Sequence, residues 1–153
     1  MDRIDKNILH WLQRDASLSV AELAEKVGLS STPCWRRVQQ LEKAGIITRR
    51  VALVDPRKIN LGITAFVRVR TNRHDTDWLE TFAQAAERIP EIVEVHRLSG
   101  DIDYLLRIVV PDIAGYDKVY KELISSADFA DVSANFAMEE IKSTTRLPLH
   151  YLP

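Results

Sequence analysis

The chain has 153 residues, 46% hydrophobic and 28% charged, with five glycines and six prolines, a composition that excludes a disordered or collagen-like chain. Its single cysteine, Cys34, excludes an internal disulfide and a cysteine-rich metal site, and no metal or other cofactor is expected. The formal net charge is −1, but residues 1–58 carry eleven Lys/Arg against seven Asp/Glu, while residues 59–153 carry ten against fifteen. A basic half followed by an acidic half predicts a polyanion-binding module joined to something else, although a solvated charged face gives the same counts. No apolar run approaches the roughly 20 residues of a membrane helix. The charged start Asp2-Arg3-Ile4-Asp5-Lys6 has no signal-peptide core, so a cytoplasmic protein without membrane partners is expected.

Three short helices are predicted in the first 45 residues. Ile4, Ile8, Leu9 and Leu12 recur at helical spacing, with Asp2 at the end where the helix dipole favours an anion. Ser19 and Glu22 have the spacing of a capping box. Leu23, Ala24 and Val27 then form an apolar face that Gly28 ends. Ser30, Ser31 or Thr32 caps the third helix, with Pro33 in its first turn, Val38 and Leu41 facing inward and Gly45 stopping it. Only Gly28-Leu29-Ser30 separate the second helix from the third, a helix-turn-helix spacing. Ile46-Ile47-Thr48 and Val51-Ala52-Leu53-Val54 read as two strands of a wing around Arg49 and Arg50, completing residues 1–54. Asp55-Pro56 opens a linker over residues 55–62.

The rhythm then changes. Ile63, Ala65, Val67 and Val69 alternate as in a strand, and Trp78, Leu79, Phe82, Ala83, Ala86 and Ile89 form a helical stripe. Strands are predicted over Ile92–Leu98 and Tyr104–Val110, on either side of Ser99-Gly100-Asp101-Ile102-Asp103. Pro111-Asp112 opens a helix with Ile113, Tyr116, Val119, Tyr120 and Leu123 on one side, and Val132, Ala134, Phe136 and Met138 alternate in a last strand. The order βαββαβ over residues 63–141 is the ferredoxin-like arrangement, so the fold class is α+β: a winged helix-turn-helix followed by a ferredoxin-like domain. Residues 142–153 read as a tail.

A recognition helix needs hydrogen-bonding side chains at its N-terminal end. Ser30, Ser31, Thr32, Trp35, Arg36, Gln39 and Gln40 stand there. Arg pairs with guanine and Gln with adenine in the major groove, while hydroxyls and free amides at the helix start suit a phosphate. Arg49 and Arg50, with Arg37, are candidates for backbone phosphates. The plainer reading is a trihelical core with a charged surface. Trp35 fits a sugar or thymine contact and equally a packing role under the wing.

The motifs Asp2-Arg3-Ile4-Asp5, Val27-Gly28-Leu29-Ser30, Thr32-Pro33-Cys34, Arg37-Val38, Leu41-Glu42 and Gly45-Ile46-Ile47 resemble the N-terminal domain of the Lrp/AsnC (leucine-responsive/asparagine) family of transcription regulators. Ser99-Gly100-Asp101-Ile102-Asp103-Tyr104-Leu105-Leu106 resembles that family's effector loop, and Met138-Glu139-Glu140-Ile141-Lys142 its last strand. The resemblance covers essentially the whole chain in order. It implies double-stranded DNA as a partner, a homodimer paired face to face that assembles further to an octamer, and an amino-acid effector bound between subunits near the Gly-Asp-x-Asp loop. Leucine, asparagine, cysteine and proline stay open as that effector. Gly100 lets the backbone approach a ligand, and Asp101 or Asp103 can pair with an ammonium group. A plain Asp-Gly turn is the competing reading. Leu98, Asn135 and Ala137 are candidates to line the same cleft from neighbouring strands. Two recognition helices about 34 Å apart would then read a palindromic site.

His10, His74, His96 and His150 are scattered without metal spacing, and His96 reads as a surface or interface residue. Cys34 near a helix start is a packed side chain or a redox sensor. Trp78, Phe82, Tyr116 and Tyr120 read as core. No catalytic residues emerge: Asp101 and Asp103 form a carboxylate pair, but no nucleophile with its base, no phosphate loop and no metal signature accompanies them. A small-molecule-responsive DNA-binding regulator is therefore expected. The rival is an amino-acid-binding enzyme, or a regulator of metabolic enzymes, without specific DNA binding.

Overall fold

The computed structural model describes residues 1–152; Pro153, the end of the expected tail, lies outside the described residues. The chain divides into a helical unit, made of Met1–Leu53 together with the residues from Lys142 on, and a sheet unit, Val54–Ile141.

In the helical unit, α1 spans Arg3–Leu12, α2 Val20–Val27 and α3 Ser31–Lys43. Each start has a local cause. The Asp2 carboxylate accepts the N–H groups of Ile4 and Asp5, and the Asp5 carboxylate accepts the N–H of Asp2. This is a reciprocal cap with Asp in the usual Glu position. Ser19 and Glu22 form the expected box at α2. Gly28 ends α2 at φ 71°, and Gly45 follows α3 at φ 70°, a left-handed conformation that suits glycine. The N-cap of α3 is Ser30, in extended conformation and without a side-chain cap bond. Ile8, Leu9, Leu23, Ala24, Val27, Cys34, Val38 and Leu41 form one buried cluster.

The two expected wing strands do not form. Residues 46–54 contain no strand, and Val51, Leu53 and Val54 are 60%, 73% and 63% exposed. A two-stranded ribbon with no apolar face to bury is marginal in water. The residues expected as a tail are an integral part of the helical unit instead. Leu149 and Leu152 pack on its core, Lys6 Nζ donates to the Leu152 carbonyl at 3.0 Å, and the Gln13 side-chain amide donates to the Leu147 carbonyl and accepts the Leu147 N–H.

In the sheet unit, Asp55 caps a 3-10 turn over Pro56–Ile59 within the expected linker. Beyond it come β1 (Ile63–Arg70), α4 (Thr76–Arg88), β2 (Ile92–Arg97), β3 (Tyr104–Val110), α5 (Ile113–Ser126) and β4 (Asp131–Phe136). The sheet is antiparallel in the order β2-β3-β1-β4, which is the ferredoxin-like topology. Val67 pairs with Leu106 and Ala134, and these three lie on the face that receives Trp78, Phe82, Val119 and Leu123. The buried stripe of α4 is Trp78, Phe82, Ala85 and Ala86, continued by Ile89 at its C-terminal end; Leu79 and Ala83, expected within it, are exposed, as is Ile113 at the start of α5. The last strand is shorter than expected. β4 stops at Phe136 opposite Ala65, and Ala137 N–H still donates to the Thr64 carbonyl. Beyond that point β1 has almost run out, so Met138 and Ile141 find no partner strand and are 96% and 90% exposed.

Candidate DNA-binding and effector sites

The inward face of α3 is fixed by Cys34, Val38 and Leu41, all buried. Helical periodicity therefore turns Trp35, Arg36, Gln39 and Gln40 outward, and all four are exposed, Trp35 by 50%. Ser30, Ser31 and Thr32 stand exposed at the helix start. Because Ser30 makes no side-chain cap bond, the first-turn amides of Ser31 and Thr32 stay free for an anion, and the dipole favours one there.

The basic side chains differ from one another. Arg36 and Arg49 have no carboxylate partner among the described residues. Arg50 donates to Glu42 Oε1 at 2.9 Å, and Gln39 donates to the other oxygen of the same carboxylate at 2.9 Å. Glu42 thus ties the end of the outward face to the segment after α3. Arg37, a candidate phosphate contact, is engaged elsewhere: its Nη1 bonds Asp2 Oδ2 at 2.7 Å and Asp5 Oδ1 at 2.8 Å. Those two carboxylates, Asp5 first, push the guanidinium pKa up. The backbone N–H of Asp5 and the Arg37 guanidinium hold the Asp2 carboxyl below its ordinary value. Arg37 is therefore a clasp between α3 and the capped start of α1. A signal for it existed in the Asp2-x-x-Asp5 spacing, but a box with Asp in place of Glu is easily missed.

Cys34 is fully buried, and burial pushes its thiol above the ordinary value. A buried thiol whose pKa is raised by burial opposes the redox-sensor reading. His96 is an exposed strand residue beside Glu94, and Trp78 and Phe82 are core with their rings stacked at 5.2 Å.

In the sheet unit, Leu98, Gly100, Asp101 and Asp103 share the β2–β3 connection. Gly100 is exposed at φ 121°, a conformation that favours glycine, and Asp101 is exposed. Asp103 is half-buried. Its Oδ2 accepts the backbone N–H of Thr71 at 2.8 Å, its own N–H donates to Val69, and its carbonyl accepts the N–H of Leu98. Thr71, which the sequence reading passed over, is 5% exposed, and its hydroxyl in turn bridges Arg73. Asn135 and Ala137 stand elsewhere. Asn135 pairs with Phe66 and Ala137 bonds Thr64, near the beginning of β1, whereas the loop is anchored on Val69 at its end. Along β1, Val69 lies three positions beyond Phe66 and five beyond Thr64, about 10 and 17 Å at the usual rise. One chain therefore does not bring the six candidate effector residues around a single small molecule.

Comparison with known proteins addresses the same two units. Residues 1–48 match the family model for winged helix-turn-helix DNA-binding, and residues 64–147 match the Lrp/AsnC ligand binding domain. The chain is 52% identical over 149 residues to a glutamate uptake regulatory protein of Zymomonas mobilis, covering 97% of this chain and 91% of that protein. It is 45% identical to the DNA-binding transcriptional activator DecR of Escherichia coli, covering 97% and 99%. Among solved structures, an AsnC family transcriptional regulator from Agrobacterium tumefaciens superposes with a TM-score of 0.96 at 56% identity, with complete coverage of both chains. A transcriptional regulator from Neisseria meningitidis, solved as an L-Met complex, gives 0.95 at 40% identity, covering 100% and 99%. These relatives are regulators, which decides against the rival enzyme reading. The chain belongs to the Lrp/AsnC family of DNA-binding transcription regulators.

Proposed function

We propose that the helical unit reads a specific duplex through the outward face of α3, under control of an amino acid held by the sheet unit of a homo-oligomer in the cytoplasm. The observation that carries the DNA reading is that exposed face: Trp35, Arg36, Gln39 and Gln40 beside a helix start with free amides. Arg36 and Gln40, without a carboxylate partner among the described residues, are assigned to base edges, and Gln39 joins them on release from Glu42. Ser30, Ser31, Thr32, Arg49 and Arg50 are assigned to phosphates, and Trp35 to a sugar or thymine methyl. Arg37 contributes by holding α3.

For the effector, the free carboxylate of Asp101 is the favoured partner of the ammonium group. Asp103 shapes the loop through Thr71. Leu98 and Gly100 complete one half of the site, and Asn135 and Ala137 of another subunit complete the second. The roughly 10 to 17 Å along β1 between the two halves within one chain supports a site at a subunit boundary. An amino acid as effector is supported by the L-Met complex of the Neisseria relative. Dimerisation is assigned to the sheet face opposite the helices, where Phe66, Arg68, Leu105 and Arg107 stand with no covering element in their own unit. Octamers form from these dimers.

The test begins with a duplex selected by the protein from random DNA and titrated at several salt concentrations. Affinity should fall steeply with salt, because each neutralised phosphate releases counterions. Equal affinity for selected and scrambled duplexes would sink the reading. Sedimentation measures the assembly, and calorimetry with L-methionine, L-leucine and L-glutamate measures the effector arm.

A further inference from the structure

Residues 26–54 hold six Lys/Arg and a single carboxylate, Glu42. That carboxylate sits in the last turn of α3, where the helix dipole favours cations, so local helix stability does not explain it. Both of its oxygens are taken by groups assigned above to DNA. Oε1 accepts Arg50 Nη2 at 2.9 Å, and Oε2 accepts Gln39 Nε2 at 2.9 Å. Gln39 lies three residues before Glu42, on the same side of the helix. Arg50 is exposed and Glu42 half-buried, so an incoming duplex can reach the pair. The bonds also resemble those that DNA would supply. A carboxylate oxygen offers a guanidinium the same kind of anionic acceptor as a phosphate oxygen. It offers an amide N–H an acceptor like adenine N7 in the major groove. Arg36 and Arg49 have no carboxylate partner among the described residues, so the restraint is selective.

We propose that Glu42 is a built-in competitor for the duplex. In the free protein its carboxylate stands in for a phosphate on Arg50 and for a base acceptor on Gln39, and DNA must displace it. The inference deepens the proposed reading of α3 and rests on it. The consequence is lower affinity for any duplex and a shallower dependence on salt. A phosphate that takes Arg50 leaves the Glu42 charge unpaired, and that charge regains a counterion where the phosphate gave one up. Arg50 then adds almost nothing to the net release of counterions. Glu42 acts through Arg50 and Gln39, as a positioning residue; it is not itself assigned to a base.

The test titrates the full chain and its variants Glu42→Gln, Arg50→Ala and the two combined against the selected duplex and a scrambled one, at several salt concentrations. Glu42→Gln should bind both duplexes about two- to fivefold more tightly, the range of an exposed ion pair. Its salt slope should steepen by about one. In the Arg50→Ala background the same change should gain less than about 1.5-fold on the scrambled duplex, because the cation it would free is gone. Glu42→Ala, which removes both bonds, should repeat the pattern, and it replaces Glu42→Gln if melting curves show that variant unfolded. An equal gain in both backgrounds would show plain charge repulsion and overturn the competitor. Unchanged or weaker binding by Glu42→Gln would overturn it as well. Equal affinity for selected and scrambled duplexes fails the reading of α3 and the competitor with it, while a kept preference with an additive cycle fails the competitor alone.

Discussion

The carboxylate of Asp103 accepts the backbone N–H of Thr71 at 2.8 Å, so the second acid of the Gly-Asp-x-Asp loop ties the β2–β3 connection to the end of β1. The first acid, Asp101, makes no such bond and is exposed. The two residues should therefore respond differently to mutation. Asp103→Ala strands a half-buried N–H and should cost about 1–3 kcal/mol of stability. Asp103→Asn keeps an acceptor oxygen and should recover most of it. Asp101→Ala should leave stability within about 0.5 kcal/mol and abolish amino-acid binding. Urea unfolding reads the first effect and calorimetry the second; a stable Asp103→Ala protein that loses only ligand binding would reverse the assignment.

Arg36 and Arg37 are adjacent, and the helix turns them to different tasks. Arg36→Ala should lower affinity for the selected duplex by about 1–3 kcal/mol and relax preference at a single base position. Arg37→Ala removes the link to Asp2 and Asp5. It should lower the melting temperature of the helical unit and weaken all duplexes alike, with base preference intact. Competition against a panel of single-base variants of the site distinguishes the two patterns. A relaxed preference in Arg37→Ala would return that residue to the DNA interface.

The same clasp gives the helical unit an acid limit. Asp2 is held below its ordinary value of 3.8 by the N–H of Asp5 and by Arg37, and Glu22 below 4.5 by the Ser19 hydroxyl and N–H. A carboxyl whose pKa is lowered on folding contributes stability above its unfolded value and loses it as pH falls through the folded one. Melting temperature should thus be flat from neutrality to about pH 5 and fall progressively below about pH 4. Asp2→Asn should start lower at neutral pH and show a shallower acid fall. Circular dichroism melts across the range measure this, and parallel curves for the two proteins would contradict it.

Much of this was legible in the sequence because it is local. The Ser19-x-x-Glu22 box, Gly28 and Gly45 fix helix ends within a few residues, and alternation from Ile63 to Val69 fixes the buried face of β1. What was not legible depends on partners far along the chain. Leu149 and Leu152 pair with a core laid down more than a hundred residues earlier, and no periodicity announces that. Arg37 read as a cation for DNA because its acids lie 32 and 35 residues away. The two strands expected within the wing followed the β-branched residues Val51 and Val54, but propensity alone does not hold a ribbon whose second arm is exposed. Asn135 and Ala137 were grouped with the Gly100 loop by family resemblance, which compares chains and carries no distance between strands within one of them.

Cys34 offers the last test, because two local effects oppose each other there. It lies in the first turns of α3, where the dipole lowers a thiol pKa, and it is fully buried, which raises it. Burial raises the thiol above its ordinary 9.0. The nucleophilic thiolate is then scarce at neutral pH, and reagents reach the sulfur only when the helical unit opens. Alkylation by iodoacetamide should therefore be slow in the folded protein and rise with urea in step with unfolding. DNA affinity should be the same in mildly oxidising and reducing buffers. Rapid labelling of the native protein, with loss of DNA binding that thiol reductants restore, would reinstate a redox role for this residue.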